Sequence, residues 1–232
     1  MFTGQTSKLS RIMLLADVPK EQMKILEKRC SWRNFTSQEQ IIDRESKARD
    51  VYFVIVGKVR VVNFSSSGRE VAFDEISAGG YFGENAAIDG KPRSATVISL
   101  ASTTVAIMSP EAFQDLLIQF PKVALSLMVR MATIIRTSNE RIMDLSTLGA
   151  NNRVYAEILR LSKDGVKEDN TAIIQPIPNH SDIASRVSTT RETVARVLNE
   201  LAREGLVKRE KTSLHILDMR HLSEMVEQFH VN

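Results

Sequence analysis

Apolar positions change their period along the chain, and the changes mark out three stretches. Between about Ile41 and Met108, runs rich in Val, Ile, Phe and Thr recur at short intervals: Val51 to Val56, Val59 to Asn63, Val71 to Ile76, Ala95 to Ile98 and Thr103 to Met108. Six of the ten glycines fall among them, between Gly57 and Gly90. Short β-branched runs punctuated by glycine predict strands joined by turns. Here they predict an antiparallel β-roll, with turns at Ser65-Ser66-Ser67-Gly68 and Ala78-Gly79-Gly80. Pro19 to Arg29, ahead of the roll, has the spacing of an amphipathic helix. Behind it, Ser109-Pro110-Glu111 opens another, with Ser109 as N-cap and Pro110 at the first helical position.

After Phe120-Pro121 there is neither glycine nor proline up to about Leu148, and the period becomes helical. Ala124, Met128, Met131, Ile135, Ser138, Ile142 and Leu145 are spaced 4, 3, 4, 3, 4, 3, a coiled-coil seam of three heptads. Such a seam packs either on the chain's own roll or on a partner helix. Leu127 and Ile134 supply a second apolar face for the roll, which leaves the seam free to pair with a second copy in a parallel homodimer. Ser138 is the polar position of that seam and fits a register-setting role. Thr137 points about 100° away from it.

Gly149-Ala150-Asn151-Asn152 breaks the long helix and is the best hinge candidate. A new helix follows, with Val154, Ile158, Leu159 and Leu161 on its apolar face, then a loop at Asp164-Gly165 and Asn170 and a short strand from Ala172 to Ile177. From Asn179 onward two short helices meet at Val187-Ser188, where Ala184 lets them cross closely. Thr189 and Glu192 form a capping box for the second, whose inner face is Val194, Val197, Leu198 and Leu201. Arg191, Glu192, Arg196 and Asn199 fall on the outer side, as an ordinary solvated face or as a surface presented to a polyanion. Val207 to Asp218, with Lys208, Arg209 and Lys211, reads as a β-hairpin. The chain divides into residues 1–120, 121–148 and 149–232.

At 232 residues, 43% hydrophobic and 25% charged, the chain has ordinary globular composition with room for two cores. No run approaches a membrane span, and the N-terminal MFTGQTSKLSRIM lacks an apolar signal core, so a cytoplasmic location is expected. Cys30 is the only cysteine, and His180, His215, His221 and His230 show no close pairing, so no metal site is expected. The net charge is +3. From Gly149 onward 12 basic residues balance 12 acidic ones, whereas Arg186 to Lys211 holds 7 against 4, so any surface for nucleic acid is a local face.

The richest chemistry lies in GENAAIDGKPRSAT, Gly83 to Thr96. Gly83 permits close approach of backbone to ligand, Glu84 accepts hydrogen bonds from sugar hydroxyls, Arg93 offers a fork matching a phosphate, and Ser94 adds a donor. The plainer alternative is a β-turn at Asp89-Gly90 with Arg93 in solvent. This segment resembles the phosphate-binding cassette of cyclic-nucleotide-binding domains. The resemblance implies that Glu84 takes the ribose 2'-hydroxyl and that Arg93 and Ser94 take the cyclic phosphate, with Gly83 and Asn85 in the same binding loop. RETVARVL, Arg191 to Leu198, resembles the recognition helix of the catabolite activator and fumarate-nitrate regulator (CRP/FNR) family. That resemblance implies an α+β architecture: cyclic-nucleotide-binding β-roll, long dimerisation helix and winged helix-turn-helix domain. It implies further that Thr137 contacts the base in its own subunit and Ser138 from across the dimer, that Arg191 and Arg196 read guanines and Glu192 a cytosine in TGTGA-like inverted repeats, and that Thr190, Thr193, His180, Ser181 and Lys208 touch phosphates. Ser188 stands where the family often has glycine, which implies strain at the bend. The implied protein is a homodimeric, non-enzymatic transcription regulator that binds double-stranded DNA and works with RNA polymerase. Its effector is cyclic AMP in preference to cyclic GMP. The alternatives are a regulator of the same fold sensing haem or redox state, or a cyclic-nucleotide-processing enzyme.

Overall fold

The computed structural model describes residues 7–227 apart from Ser67 and Arg69. Residues 1–6 of the N-terminal stretch, part of the Ser65-to-Gly68 turn, and His230 therefore lie outside the described residues. Two 3-10 turns lead into α1 (Lys20–Lys28), followed by β1 (Cys30–Phe35), β2 (Gln40–Ile42), β3 (Val51–Val56), β4 (Lys58–Phe64), β5 (Glu70–Ser77) and β6 (Tyr81–Phe82). Next come α2 (Glu84–Asp89), β7 (Thr96–Ser99), β8 (Thr103–Met108), α3 (Pro110–Gln119) and α4 (Pro121–Thr147). The rest is α5 (Ala150–Ser162), β9 (Ala172–Ile174), α6 (His180–Arg186), α7 (Arg191–Arg203), β10 (Val207–Arg209), β11 (Leu214–Ile216) and α8 (Met219–Glu227).

Two four-stranded antiparallel sheets, ordered β1-β8-β3-β6 and β2-β7-β4-β5, form the roll. Val54, Val59 and Val105, each fully buried, fill its interior with Phe35, Ile42 and Val97, while Phe53 and Met108 on the other face of their sheet pack against the helices. The β3–β4 turn needs Gly57: its φ is +92°, and a side chain there would run into Ser102 and Thr103. Strand β1 lies ahead of the expected roll. It pairs along its whole length with β8, from Cys30 opposite Met108 to Phe35 opposite Thr103, yet Ser31 to Asn34 are exposed and carry no alternation by which to find it. The cap of α3 is as expected, the Ser109 hydroxyl accepting from the Ala112 amide.

The chain forms two compact units, Met1–Thr133 and Ile134–Asn232, divided inside α4. The first unit's core takes in Val123, Leu127 and half-buried Met131 of that helix. Ile134 does not share a buried face with Leu127; it is 42% exposed. In the second unit, α5, α6, α7 and α8 surround a core that includes Ile158, Ile183, Val194, Leu201 and Ile216, with a sheet ordered β10-β11-β9. On α5, Val154 and Ile158 are buried as expected, while Leu159 and Leu161 are half-buried and the acidic Glu157 is buried. The strand from Ala172 ends at Ile174, ahead of a cis Gln175–Pro176 bond. The inner face of α7 matches expectation, but its N-cap is Thr190, whose hydroxyl accepts from the Thr193 amide. Thr189 is spent in the turn, its amide bonded to the Ala184 carbonyl.

Candidate effector and nucleic-acid sites

The expected glycine-hinged loop is a short helix. Glu84 to Asp89 form α2 between two left-handed glycines, Gly83 at φ +88° and Gly90 at φ +71°. Glycine at 83 makes room for Arg93: an added Cβ would lie 2.7 Å from its Nη1 and 2.8 Å from the Asp50 carbonyl. Arg93 is 3% exposed, which excludes the turn with a solvated arginine. Its Nη1 donates to the Gly83 carbonyl at 2.8 Å and its Nη2 to the Asp50 carbonyl at 2.6 Å. The guanidinium lies over the Tyr52 ring, 5.7 Å from the centroid, and that ring stacks on Phe82. Burial pulls the Arg93 pKa down, while Tyr52, Asp50 and Glu84 oppose the shift. Its Nε is buried without a hydrogen-bond partner.

Glu84 is 8% exposed. Burial holds its carboxyl above the usual carboxylate range; its own backbone amide, Arg130 and Arg93 pull the other way, and Asp74 adds to the rise. The cassette thus brings a buried acid and a buried cation into one electrostatic environment. Sequence reasoning missed the groups around them. Arg130 lies 4.5 Å over the Tyr81 ring and 3.4 Å from Asp74. The Tyr81 hydroxyl is buried with no partner, and burial is the main cause pushing its pKa up to about 12. A signal for Arg130 existed: it continues the spacing of Val123 and Leu127 on the buried side of α4. Asn85 and Ser94 are exposed, and the Ser94 carbonyl accepts from Asn63 Nδ2 at 3.2 Å. Thr137 and Ser138 belong to the other unit, the first half-buried and the second exposed. Along the seam, Met128, Ile135 and Ile142 are 57%, 59% and 59% exposed, an apolar row open on the single chain.

In the second unit, Arg191, Glu192 and Arg196 are exposed on α7, Thr193 is half-buried, and Ser181 is exposed on α6. The Glu192 carboxyl is held below its ordinary value by its own backbone amide and by the Thr190 hydroxyl. His180 opens α6 with Nε2 at 3.1 Å from Arg209 Nη1. Its pKa is lowered by burial, then by Arg209 and Arg191, so the imidazole feels the positive charge of the hairpin and of the first residue of α7. Lys208 is exposed beside Glu210, at 3.8 Å. Arg196 is tethered, its Nη2 donating to Asn151 Oδ1 at 3.0 Å and its Nη1 lying 3.5 Å from Glu200. Ser188 has φ +52°, the strained conformation expected of a non-glycine residue at the bend. Among the described residues no three His, Cys, Asp or Glu side chains are grouped to hold a metal, and no single helix is long and apolar enough to cross a membrane.

A cyclic nucleotide-binding domain model matches residues 32–120, and a Crp-like helix-turn-helix domain model matches residues 152–225. Over 175 residues the chain is 30% identical to the Cyclic AMP receptor protein of Thermus thermophilus, covering 75% of this chain and 78% of the relative. In fold it is similar to a CooA variant from Carboxydothermus hydrogenoformans, with a TM-score of 0.77 at 20% identity over 87% of this chain and 89% of that one. It is also similar to the c-di-GMP responsive regulator CLP of Xanthomonas campestris, with a TM-score of 0.67 at 18% identity over 85% and 99%.

Proposed function

Because the chain belongs to the CRP/FNR family of DNA-binding transcription regulators, we propose that it acts as a homodimer in the cytoplasm, that its effector is a cyclic purine mononucleotide, cyclic AMP ahead of cyclic GMP, and that it has no catalytic activity. The observation carrying this reading is the Arg93 guanidinium, buried in the same environment as the buried Glu84 and left with an unpartnered Nε–H. A cation kept out of water is a strong anchor for a phosphate. Glu84, at the start of α2, is the acceptor for a ribose hydroxyl, with Gly83, Asn85 and Ser94 completing the loop. Thr137 and Ser138 are assigned to the purine.

The apolar row Met128, Ile135 and Ile142 is assigned to the dimer, which makes residues 1–120 the effector part, 121–148 the pairing helix and 149–232 the DNA-binding part. Arg191 and Arg196 are assigned to guanine edges, Glu192 to a cytosine amino group, and Thr190, Thr193, His180, Ser181 and Lys208 to phosphates. The nucleotide favours the arrangement in which both recognition helices meet successive major grooves, and RNA polymerase is the downstream partner.

Calorimetric titration with cyclic AMP, cyclic GMP and cyclic di-GMP, combined with anisotropy on an inverted-repeat duplex, tests the reading. Binding of a cyclic mononucleotide that tightens sequence-selective DNA binding is expected. Absence of binding by both mononucleotides, or turnover of either to the linear nucleotide, refutes it.

A further inference from the structure

One half-buried arginine joins the end of α4 to the bend between α6 and α7. Arg153, in the first turn of α5, donates from Nη1 to the Leu148 carbonyl at 2.8 Å, from Nε to the Val187 carbonyl at 2.8 Å and from Nη2 to the Ser188 carbonyl at 3.1 Å. All three acceptors lie just beyond a helix C-terminus: Leu148 follows α4, and Val187 and Ser188 follow α6. Carbonyls there have no amide of a following turn to accept from, and a cation at a helix C-terminus also meets the negative end of the dipole. A planar fork is the side chain that spans separate acceptors at fixed angles.

Ser188 is where this matters. A non-glycine residue at φ +52° is held in a sparsely populated region, and such a conformation persists only when its surroundings over-determine it. Two of the Arg153 bonds grip this turn. One helical turn further along α5, Glu157 grips the same two elements again. It is 1% exposed and lies 3.7 Å from Arg141 of α4, 3.5 Å from Arg186 at the end of α6 and 2.5 Å from Arg160, which reaches Asp144 of α4 at 2.7 Å.

We propose that Arg153 is a positioning residue for DNA recognition: its guanidinium holds the strained Ser188 turn, sets the angle at which α7 leaves α6, and ties that angle to the last turn of α4. The inference rests on the reading of α7 as the recognition helix. It goes beyond it in naming a residue that touches no DNA and yet governs sequence selectivity, by a link that runs through side chains across the Leu148–Gly149 break.

The test compares wild type, Arg153→Ala, Arg153→Lys, Ser188→Gly and the double variant Arg153→Ala with Ser188→Gly, all as full chains. Two quantities are read: affinity for a selected duplex relative to a random one, and amide hydrogen exchange at Val187 to Thr190. Arg153→Ala is expected to lower selective affinity about tenfold with non-selective affinity unchanged, and to speed exchange in the turn by a similar factor. Arg153→Lys, which keeps the charge and loses the fork, falls between. Adding Ser188→Gly to Arg153→Ala is expected to restore most of both, because glycine adopts positive φ without strain. Unchanged exchange at Val187 to Thr190 in Arg153→Ala overturns the proposal, and so does a loss that Ser188→Gly leaves unrepaired. If Arg153→Ala fails to fold, Arg153→Lys with and without Ser188→Gly carries the same comparison. Should wild type select no DNA sequence, the recognition-helix reading falls, while the exchange measurements still decide whether Arg153 holds the turn.

Discussion

Removing Arg93 should damage two things at once, and the sizes can be separated. From sequence alone its truncation is expected to abolish nucleotide binding and leave the fold intact. The structure adds a second consequence, because the buried guanidinium bonds the Gly83 and Asp50 carbonyls and so ties the cassette to the segment entering β3. Each lost charge-assisted bond contributes about 1.5–3 kcal/mol, offset in part by no longer burying a charge, so Arg93→Ala should destabilise the protein by roughly 2–4 kcal/mol. For a domain of this size that lowers Tm by about 5–15 °C. Arg93→Lys keeps the charge and one bond, and about half of that loss is expected. Nucleotide affinity follows a different rule, since a phosphate held by a fork loses one of its two parallel bonds when lysine replaces arginine. At least one strong bond's worth of binding, about 1.5–3 kcal/mol, should go, a factor of roughly 10 to 100. Thermal melts followed by circular dichroism, beside calorimetric titration with cyclic AMP, measure the two effects on the same samples. Affinity of Arg93→Lys within about twofold of wild type refutes the phosphate role, because that span is smaller than one hydrogen bond. An unshifted Tm in Arg93→Ala refutes the structural one.

Placing a charge in the seam, as in Ile135→Glu, should convert a dimer to a monomer in sedimentation, since it sets two carboxylates together where apolar burial is worth about 1.5–3 kcal/mol per side chain; Ser138→Ala should instead keep the dimer and alter the nucleotide response. A dimeric Ile135→Glu variant would remove the seam assignment. The His180 imidazole is held below its ordinary value by burial and by Arg209 and Arg191. A DNA phosphate beside it raises that value, so the complex takes up a proton and affinity should rise as pH falls through the range in which the imidazole titrates, a dependence that His180→Gln flattens. Arg196→Ala should cost about 1–3 kcal/mol and relax preference at one guanine, whereas Lys208→Ala should weaken all sequences alike and reduce the salt slope. Identical base preferences in wild type and Arg196→Ala would reject α7 as the reader.

What the sequence makes legible is what a local period encodes. The unbroken helical period of α4, the inner face of α7 and the β-branched runs of β3 and β8 are each encoded within their own few residues, and each element stands where its period puts it. Strand β1 shows the converse. Its partner β8 supplies the pairing, so Ser31 to Asn34 need no apolar face of their own. The cap at Thr190 was displaced by one residue for a similar reason, because the left-handed Ser188 uses up a position in the turn that helix periodicity cannot register.

The functional side chains divide along the same line. Glu84 and Arg93 are nine residues apart in a motif, so resemblance finds them; Arg130, Arg153 and Glu157 acquire their partners from segments tens of residues away or from three helices at once. In a linear reading a charged residue on a helix defaults to solvent, since burying one without a partner is costly. Glu157 reverses that default because the chain brings Arg141, Arg160 and Arg186 to it, and Arg93 does because backbone carbonyls receive it. Such groups hold the fold by bonds that a ligand or a moving helix can compete for, whereas an apolar contact offers a phosphate nothing. These are the charges that a hydropathy pattern assigns to the surface.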